Sequence, residues 1–407
     1  MKKHIVVIGG GAAGIMAAII AKQQGGNVTI IEHTNRIGKK ILATGNGRCN
    51  LTNLDQRAEF YRGTDPGFSQ ISLEKFGVKE TLDFFYKLGL YVKDKNNYIY
   101  PYSEQATTVL NILKMELERL EIPVFYETEV KNIYKKENGF QLITTINEKT
   151  YCDSLILATG SKAAPSTGSD GSGYKLAIDL GHKLIEPVPA LVQLSCSGDY
   201  FKNLKGIRTH GKISLYIDNK KIAEDTGELQ LTDYGVSGIP VFQISRFASV
   251  AIREGKEVRI ALDFLPDLDK SNLLIKLEDP FFVKEKLTEE VIKGFLNHKL
   301  STSLIKEAKL SLHRKINTLT LKEKHTLVST IKDFNVKVLD SKSFNQAQVC
   351  AGGISTDDII PETMESKLVP NLYFAGEILD VDGACGGYNL QWAWTSGYLA
   401  GSHAGKN

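Results

Sequence analysis

Cysteine is scarce in this 407-residue chain. There are five, Cys49, Cys152, Cys196, Cys350 and Cys385, and no two are spaced as C-x-x-C. An odd, scattered set argues against a disulfide framework and against a structural zinc site, and it fits a reducing cytoplasm. Proline is sparse as well, with 11 residues, and nothing has the texture of a disordered or collagen-like chain. A charge excess is missing: 50 Lys and Arg face 47 Asp and Glu, for a net +3. Bulk charge therefore gives no reason to expect a nucleic acid or an anionic membrane as partner. No run approaches the ~20 apolar residues that a membrane span needs. The apolar start after Lys2 and Lys3 imitates a signal peptide, but Gly9, Gly10, Gly11 and Gly14 interrupt it. It reads better as a strand, a turn and a helix. The expectation is a cytoplasmic enzyme without metal.

What is present is an ordinary globular composition, 42% hydrophobic, on a chain too long for one core. Residues 4–8 read as a buried parallel strand, 12–24 as a helix ended by Gly25-Gly26, and 28–32 as a second strand, which makes a βαβ unit. Residues 69–88 read as helical with a break near Gly77, and 90–100 as a hairpin turning at Asn96-Asn97. A helix over 103–121 is expected to be capped by Ser103. Short strands follow to 152, and 154–158 is another buried strand. From about 190 to 262 short strands with polar turns suggest a small barrel or meander. After Pro266, residues 270–333 carry Lys, Glu and Leu at helical spacing, and near 345 the Gly-rich texture returns. The simplest description is a nucleotide domain in two halves around an insertion.

Gly9-Gly10-Gly11-Ala12-Ala13-Gly14 fits G-x-G-x-x-G. Its weight comes from context: it follows a strand, opens a helix, and is followed by Glu32 at the end of the second strand. Gly9 allows the tight turn, Gly11 lets a pyrophosphate reach the backbone, and Gly14 lets the helix lie close to the sheet. Free N–H groups and the positive end of the helix dipole suit a diphosphate. Glu32 is positioned to accept hydrogen bonds from ribose hydroxyls, and a carboxylate there repels a 2′-phosphate, which excludes NADP at this site.

The fingerprint does not separate NAD from FAD; later segments do. Residues 38–53, GKKILATGNGRCNLTN, place Lys39, Lys40 and Arg48 around Thr44, Gly45, Asn46 and Gly47. Such a loop suits a second phosphate and a flavin edge, and a simple NAD-binding unit has no need of it. Ala158-Thr159-Gly160 follows a buried strand. The stretch after it, with Gly168, Gly171 and Gly173, has the wrong order for a second fingerprint. A nicotinamide would therefore dock only transiently. Near the C-terminus, Gly376-Glu377 and Gly386-Gly387-Tyr388-Asn389, opening a last helix at about 389–404, read as flavin-facing turns, as does Gly352-Gly353.

Together these segments resemble a three-domain bacterial flavoprotein family that includes BaiN-type oxidoreductases, implicated in bile-acid dehydroxylation, and an aminoacetone oxidase. The carriers are VVIGGGAAG (6–14), GKKILATGNGRCNLTN (38–53), LILATG (155–160), GELQLTDYGVSG (227–238), AGGIS (351–355) and MESKLVPNLYFAGEILDVDGACGGYNLQWAW (364–394). The resemblance implies an α/β fold: a two-dinucleotide-type FAD-binding Rossmann domain with an inserted β-barrel-like domain and a helical lid. The expected division is 1–190 with 345–407, 191–265 with 334–344, and 266–333. It implies non-covalent FAD held by Gly9, Gly11, Ala12, Ala13, Gly14, Glu32, His33, Lys40, Thr44, Gly45, Asn46, Gly47, Arg48, Val130, Ala158, Thr159, Gly160, Gly376, Glu377, Gly387, Tyr388, Asn389 and Leu390. Val130 enters because the strand after helix 103–121 is expected to offer its backbone to adenine.

Tyr234, in the TDYGVSG loop, is the candidate catalytic acid or hydrogen-bond donor, with a packed barrel tyrosine as its plain reading. Cys49 and Cys385 flank flavin loops, yet packing is the better reading of both. Trp392 and Trp394 read as core, and His298, His313 and His325 as exposed. The leading expectation is an NADH- or NADPH-linked reductase of a small or steroid-like molecule. Two alternatives stay open: a peroxide-producing oxidase of a small amine, and an FAD-dependent RNA-modification or RNA-binding factor.

Overall fold

The computed structural model describes residues 2–145 and 148–406. The chain divides into two compact units, Met1–Val188 with Gln348–Asn407, and Pro189–Ala347.

The first unit is built on a five-stranded parallel sheet. Its order is Leu372–Phe374, Ser154–Leu157, His4–Ile8, Asn27–Ile31 and Val124–Phe125. A parallel sheet covered on both faces needs continuous apolar strands rather than alternating ones. That is why Val6, Val7, Leu155, Ile156 and Leu157 are all fully buried. The register pairs Val7 with Ile156 on one side and with Ile30 on the other. The first helix, Ala12–Gln23, makes the crossover between the first two strands. The last helix, Tyr388–Ala404, is anchored by Trp392 and Trp394, 1% and 0% exposed.

These two helices meet through small residues. A methyl built on Gly397 would sit 2.5 Å from the Ala13 carbonyl oxygen, one on Gly401 2.4 Å from that of Ala17, and one on Gly405 2.8 Å from that of Ala21. Glycine and alanine recurring every four residues put bare backbone against bare backbone, since positions four apart share one helix face. The C-terminus is thereby laid on the helix that follows the N-terminal glycine turn.

The helices Pro66–Lys75 and Val78–Lys87 break at Gly77. The hairpin Val92–Lys95 and Tyr98–Pro101 turns at Asn96 and Asn97, with φ of 55° and 73°. Both residues are left-handed, as a two-residue turn matching strand twist requires, and asparagine tolerates that backbone best after glycine. The expected Ser103 cap is a correction. The helix runs Ala106–Arg119, behind a Gln105 whose side chain makes no capping bond. Glu104 turns left-handed at φ 54° and its N–H bonds the Pro101 carbonyl, so Ser103 belongs to the turn before the helix.

The second unit has its own core. Six antiparallel strands close into a barrel in the order Leu194–Cys196, Gly235–Ser237, Lys220–Leu231, Arg208–Ile217, Val258–Asp263 and Phe334–Ser341. Two of them, 10 and 12 residues long, exceed the short strands expected. A helix, Ile239–Arg253, occupies a stretch read as strands. Its β-branched residues favoured that reading, but Val241, Ile244, Ala248 and Ala251 fall at helical spacing and are buried. The helices between Lys270 and Lys332 share this core through Leu273, Leu300, Leu304 and Leu327.

Candidate functional site

The glycine turn resolves into three different physical roles. Gly9 has φ 105° and its N–H bonds the Ile31 carbonyl at 2.8 Å, and a methyl there would lie 2.3 Å from the Ala158 carbonyl oxygen. At Gly14 a methyl would come within 1.9 Å of the Gly9 carbonyl oxygen. Gly9 and Gly14 are thus demanded by packing. Gly11, the N-cap of the first helix, has an ordinary φ of −80°, and a methyl built on it meets nothing within 4 Å. Neither backbone nor packing requires glycine there. The open space before Gly11, at a helix head whose first N–H groups lack intrahelical acceptors, is what an anionic diphosphate would fill.

Glu32 directs the adenosine side. It is 8% exposed; Oε2 accepts from Gly10 N at 2.8 Å and Oε1 from Thr34 N at 2.7 Å. Each carboxylate oxygen keeps acceptor capacity for a hydroxyl. His33 lies against Gly168, where a methyl would be 3.0 Å from its Nε2. Val130 opens a different strand from the one expected. Val124–Phe125 follows the helix and joins the main sheet, and Val130 begins the next, paired with Thr144. The segment leading to it does pass Glu32, whose carbonyl accepts from Thr128 N at 3.1 Å.

A second knot joins residues 337 positions apart. Lys40 Nζ lies 2.5 Å from Glu377 Oε2 and 3.3 Å from the Ala163 carbonyl oxygen. Ser161 Oγ donates to the same Glu377 oxygen at 3.1 Å. Gly376, at φ 79°, gives its N–H to Ser396 Oγ on the last helix at 2.8 Å. Thr159 Oγ1, two residues past the Ser154–Leu157 strand, is buried without a partner. Lys40 and Glu377 therefore neutralise one another at the rim of the cradle.

The Gly45–Asn46–Gly47 turn is left-handed at all three residues, with φ of 56°, 55° and 80°. Thr44 Oγ1 donates to the Ile41 carbonyl at 2.6 Å, and the Arg48 guanidinium lies 5.4 Å from the Tyr100 ring centre. Gly387 is left-handed at φ 100° and heads the last helix. The Tyr388 ring stacks on Phe60 at 4.7 Å and meets the edge of Tyr61 at 5.7 Å. Asn389 spends its side chain on the loop, accepting from Gly383 N at 2.8 Å and donating to Gly383 O at 2.9 Å. At Asn389 this leaves the backbone for a ligand.

Tyr234 belongs to the second unit, where its carbonyl accepts from Cys196 N at 2.8 Å and Lys342 Nζ lies 3.7 Å from its ring centre. Cys49 is fully buried, and burial pushes its thiol up to about 12, which leaves no nucleophilic thiolate. Gly10, Ser161 and Asn50 were missed by the motif reading. Gly10 stands at a variable position of the fingerprint, Ser161 directly follows the Ala158-Thr159-Gly160 turn, and Asn50 falls inside residues 38–53. Among the described residues no cluster of His, Cys, Asp or Glu is arranged to hold a metal ion.

An open Gly11, a placed carboxylate, buried unpartnered Thr159 and Asn50 oxygens, and glycine loops from both chain ends fit a bound dinucleotide flavin. The class so defined is the FAD-dependent oxidoreductase with a Rossmann-type domain. More narrowly, the family model described as HI0933-like protein Rossmann domain matches residues 3–403, and the chain belongs to that family. It is 44% identical over 406 residues to a 3-dehydro-bile acid delta(4,6)-reductase of Clostridium scindens, covering 99% of each chain. Over 400 residues it is 30% identical to a ribosomal RNA dihydrouridine synthase of Escherichia coli, covering 97% of this chain and 96% of that one. A protein of the same name from Haemophilus influenzae is 28% identical over 401 residues, covering 97% and 96%.

Proposed function

We infer that this enzyme reduces a carbon–carbon double bond conjugated to a carbonyl in a steroid-like acid, with NADH or NADPH as electron source. The observation that carries the reading is the 44% identity, end to end, with a reductase whose name specifies a 3-dehydro bile acid unsaturated at positions 4 and 6. The dihydrouridine synthases support the reaction type, because dihydrouridine is uridine saturated at a ring double bond that is also conjugated to a carbonyl. Bound FAD supplies two-electron hydride chemistry. The residues that would hold it are those of the first unit. The head of the first helix takes the diphosphate over Gly11, and Glu32 takes the adenosine ribose. Lys40, held by Glu377, borders the linkage, and the Gly45–Gly47 turn and Gly387 flank the ring.

The second reading, reduction of uracil in RNA, rests on the 30% and 28% relatives. Part of the positive charge on the helical segment is already paired. Lys293 is paired with Glu289, Arg314 with Glu323 and Lys315 with Glu285, so these cations carry little net field for a phosphate backbone.

The test is an anaerobic titration of the yellow protein with NADH and NADPH, followed by addition of a 3-oxo-4,6-diene bile acid or a uridine-containing ribosomal RNA fragment. Loss of flavin absorbance with a nucleotide and its return with the dienone is the expected result. Return with RNA alone would move the assignment to the second reading. Protein that stays oxidised with both nucleotides but yields peroxide with amines would replace both readings by the oxidase.

A further inference from the structure

The segment Asn50–Asn53 is tied to the head of the last helix almost residue by residue. The Leu51 carbonyl accepts from Trp394 Nε1 at 3.0 Å. Thr52 Oγ1 donates to Gln391 Oε1 at 2.6 Å, and Asn53 Nδ2 donates to the Gly386 carbonyl at 3.0 Å. Asn50 breaks the pattern. It is 8% exposed, and its side-chain oxygen is buried with no donor.

That oxygen sits where two left-handed glycine loops converge. A methyl on Gly387 would lie 3.0 Å from it, and one on Gly45 would lie 3.0 Å from the Asn50 backbone nitrogen. Native structures rarely leave a buried amide oxygen without a partner, because its lost hydration is not recovered. The helix head beside it offers the complementary groups. The Gln391 N–H closes the first bond to the Gly387 carbonyl at 2.9 Å, so the N–H groups just before it have no acceptor within the helix. One acceptor beside a row of donors matches the edge of a cyclic imide, in which an N–H lies between two carbonyls.

Building on the FAD reading above, we propose that the Asn50 side-chain oxygen accepts the imide N–H of the flavin pyrimidine ring, with the helix head facing the adjoining carbonyl. Asn50 is then a cofactor-recognition residue, and its unmet hydrogen bond is met only in the loaded protein. A distinctive pair of effects follows. Replacing Asn50 by leucine, which keeps the branch at Cγ but carries no hydrogen-bonding group, removes the unpaired oxygen from the empty protein and the acceptor from the loaded one.

The experiment titrates cofactor-free protein with FAD and with FAD methylated at the imide nitrogen, followed by fluorescence. The natural chain should bind FAD on the order of tenfold more tightly than the methylated form. In Asn50→Leu the FAD affinity should fall by about the same factor and the preference between the two flavins should vanish. Equal binding of the two flavins by the natural chain overturns the proposal while leaving the FAD reading in place, and that comparison needs no variant to fold. Unchanged preference in Asn50→Leu also overturns it. A natural chain that takes up neither flavin overturns the FAD reading itself.

Discussion

At the scale of single residues, glycines three positions apart answer different demands. Gly14→Ala drives a methyl into the Gly9 carbonyl oxygen, 1.9 Å away, and should cost about 3 kcal/mol of folding stability. Gly11→Ala points its methyl into open space. It should cost at most about 1 kcal/mol, the value of a changed N-cap, while weakening FAD binding severely. Thermal melts of the two variants, with and without FAD, separate packing from binding. If Gly11→Ala kept full FAD affinity, the diphosphate would not lie where the open space is. The buried thiols make a second residue-scale prediction. Cys49, Cys152 and Cys196 ordinarily ionise at 9.0, and burial pushes each up to about 12. Between those values the unfolded chain has lost protons that the folded chain retains. Stability is therefore full below 9 and falls as pH rises through the window, by about 1.4 kcal/mol per unit for each thiol. Urea midpoints under reductant should be lower at pH 10 than at pH 8; equal midpoints would show that the thiols ionise freely in the fold.

At the scale of elements, the contact between the first and last helices decides whether the cradle exists. The N-terminal turn brings Gly11 and Glu32, and the C-terminal segment brings Glu377 and Gly387, yet nothing local connects them. Ala13, Ala17 and Ala21 against Gly397, Gly401 and Gly405 bring the two backbones together. Gly401→Ala, whose methyl would lie 2.4 Å from the Ala17 carbonyl oxygen, should cost about 1–3 kcal/mol. It should also weaken FAD binding although residue 401 is not itself a proposed ligand. Calorimetric unfolding together with flavin content checks both, and an unchanged melt would mean that the helices accommodate the methyl by a small slide. The glycine spacing was visible in the sequence, but its meaning was not, because the partner face lies nearly four hundred residues away.

At the scale of the whole molecule, one chain builds two separate cores. One gathers around the parallel sheet and the other around the closed barrel with its helices. All six barrel strands fall between Leu194 and Ser341. Residues 189–347 expressed alone should therefore unfold in a single cooperative transition and bind no FAD. A fragment without a melting transition would show that this core needs the rest of the chain.

Local chemistry made much of this legible in the sequence. The strand–turn–helix around Gly9–Gly14, the Glu32 that ends the second strand, the Asn96-Asn97 turn and the break at Gly77 each follow from the backbone freedom or periodicity of a few neighbouring residues. The buried parallel strands followed from continuous apolar runs, and the buried tryptophans of the last helix from their place in it. The helix Ile239–Arg253 was not legible, because β-branched residues at helical spacing serve either structure until a core chooses. Nor were the Lys40–Glu377 pair, the loop-clamping role of Asn389, or the unpartnered oxygen of Asn50. These depend on which distant segments meet, and hydrogen-bond partners hundreds of residues apart leave no mark on local sequence. The sequence by itself determined the cofactor class, because a diphosphate needs glycine and free N–H groups in one short stretch. Only the tertiary structure decided which side chains remain free to recognise the ring, because that depends on which polar groups the fold has already paired.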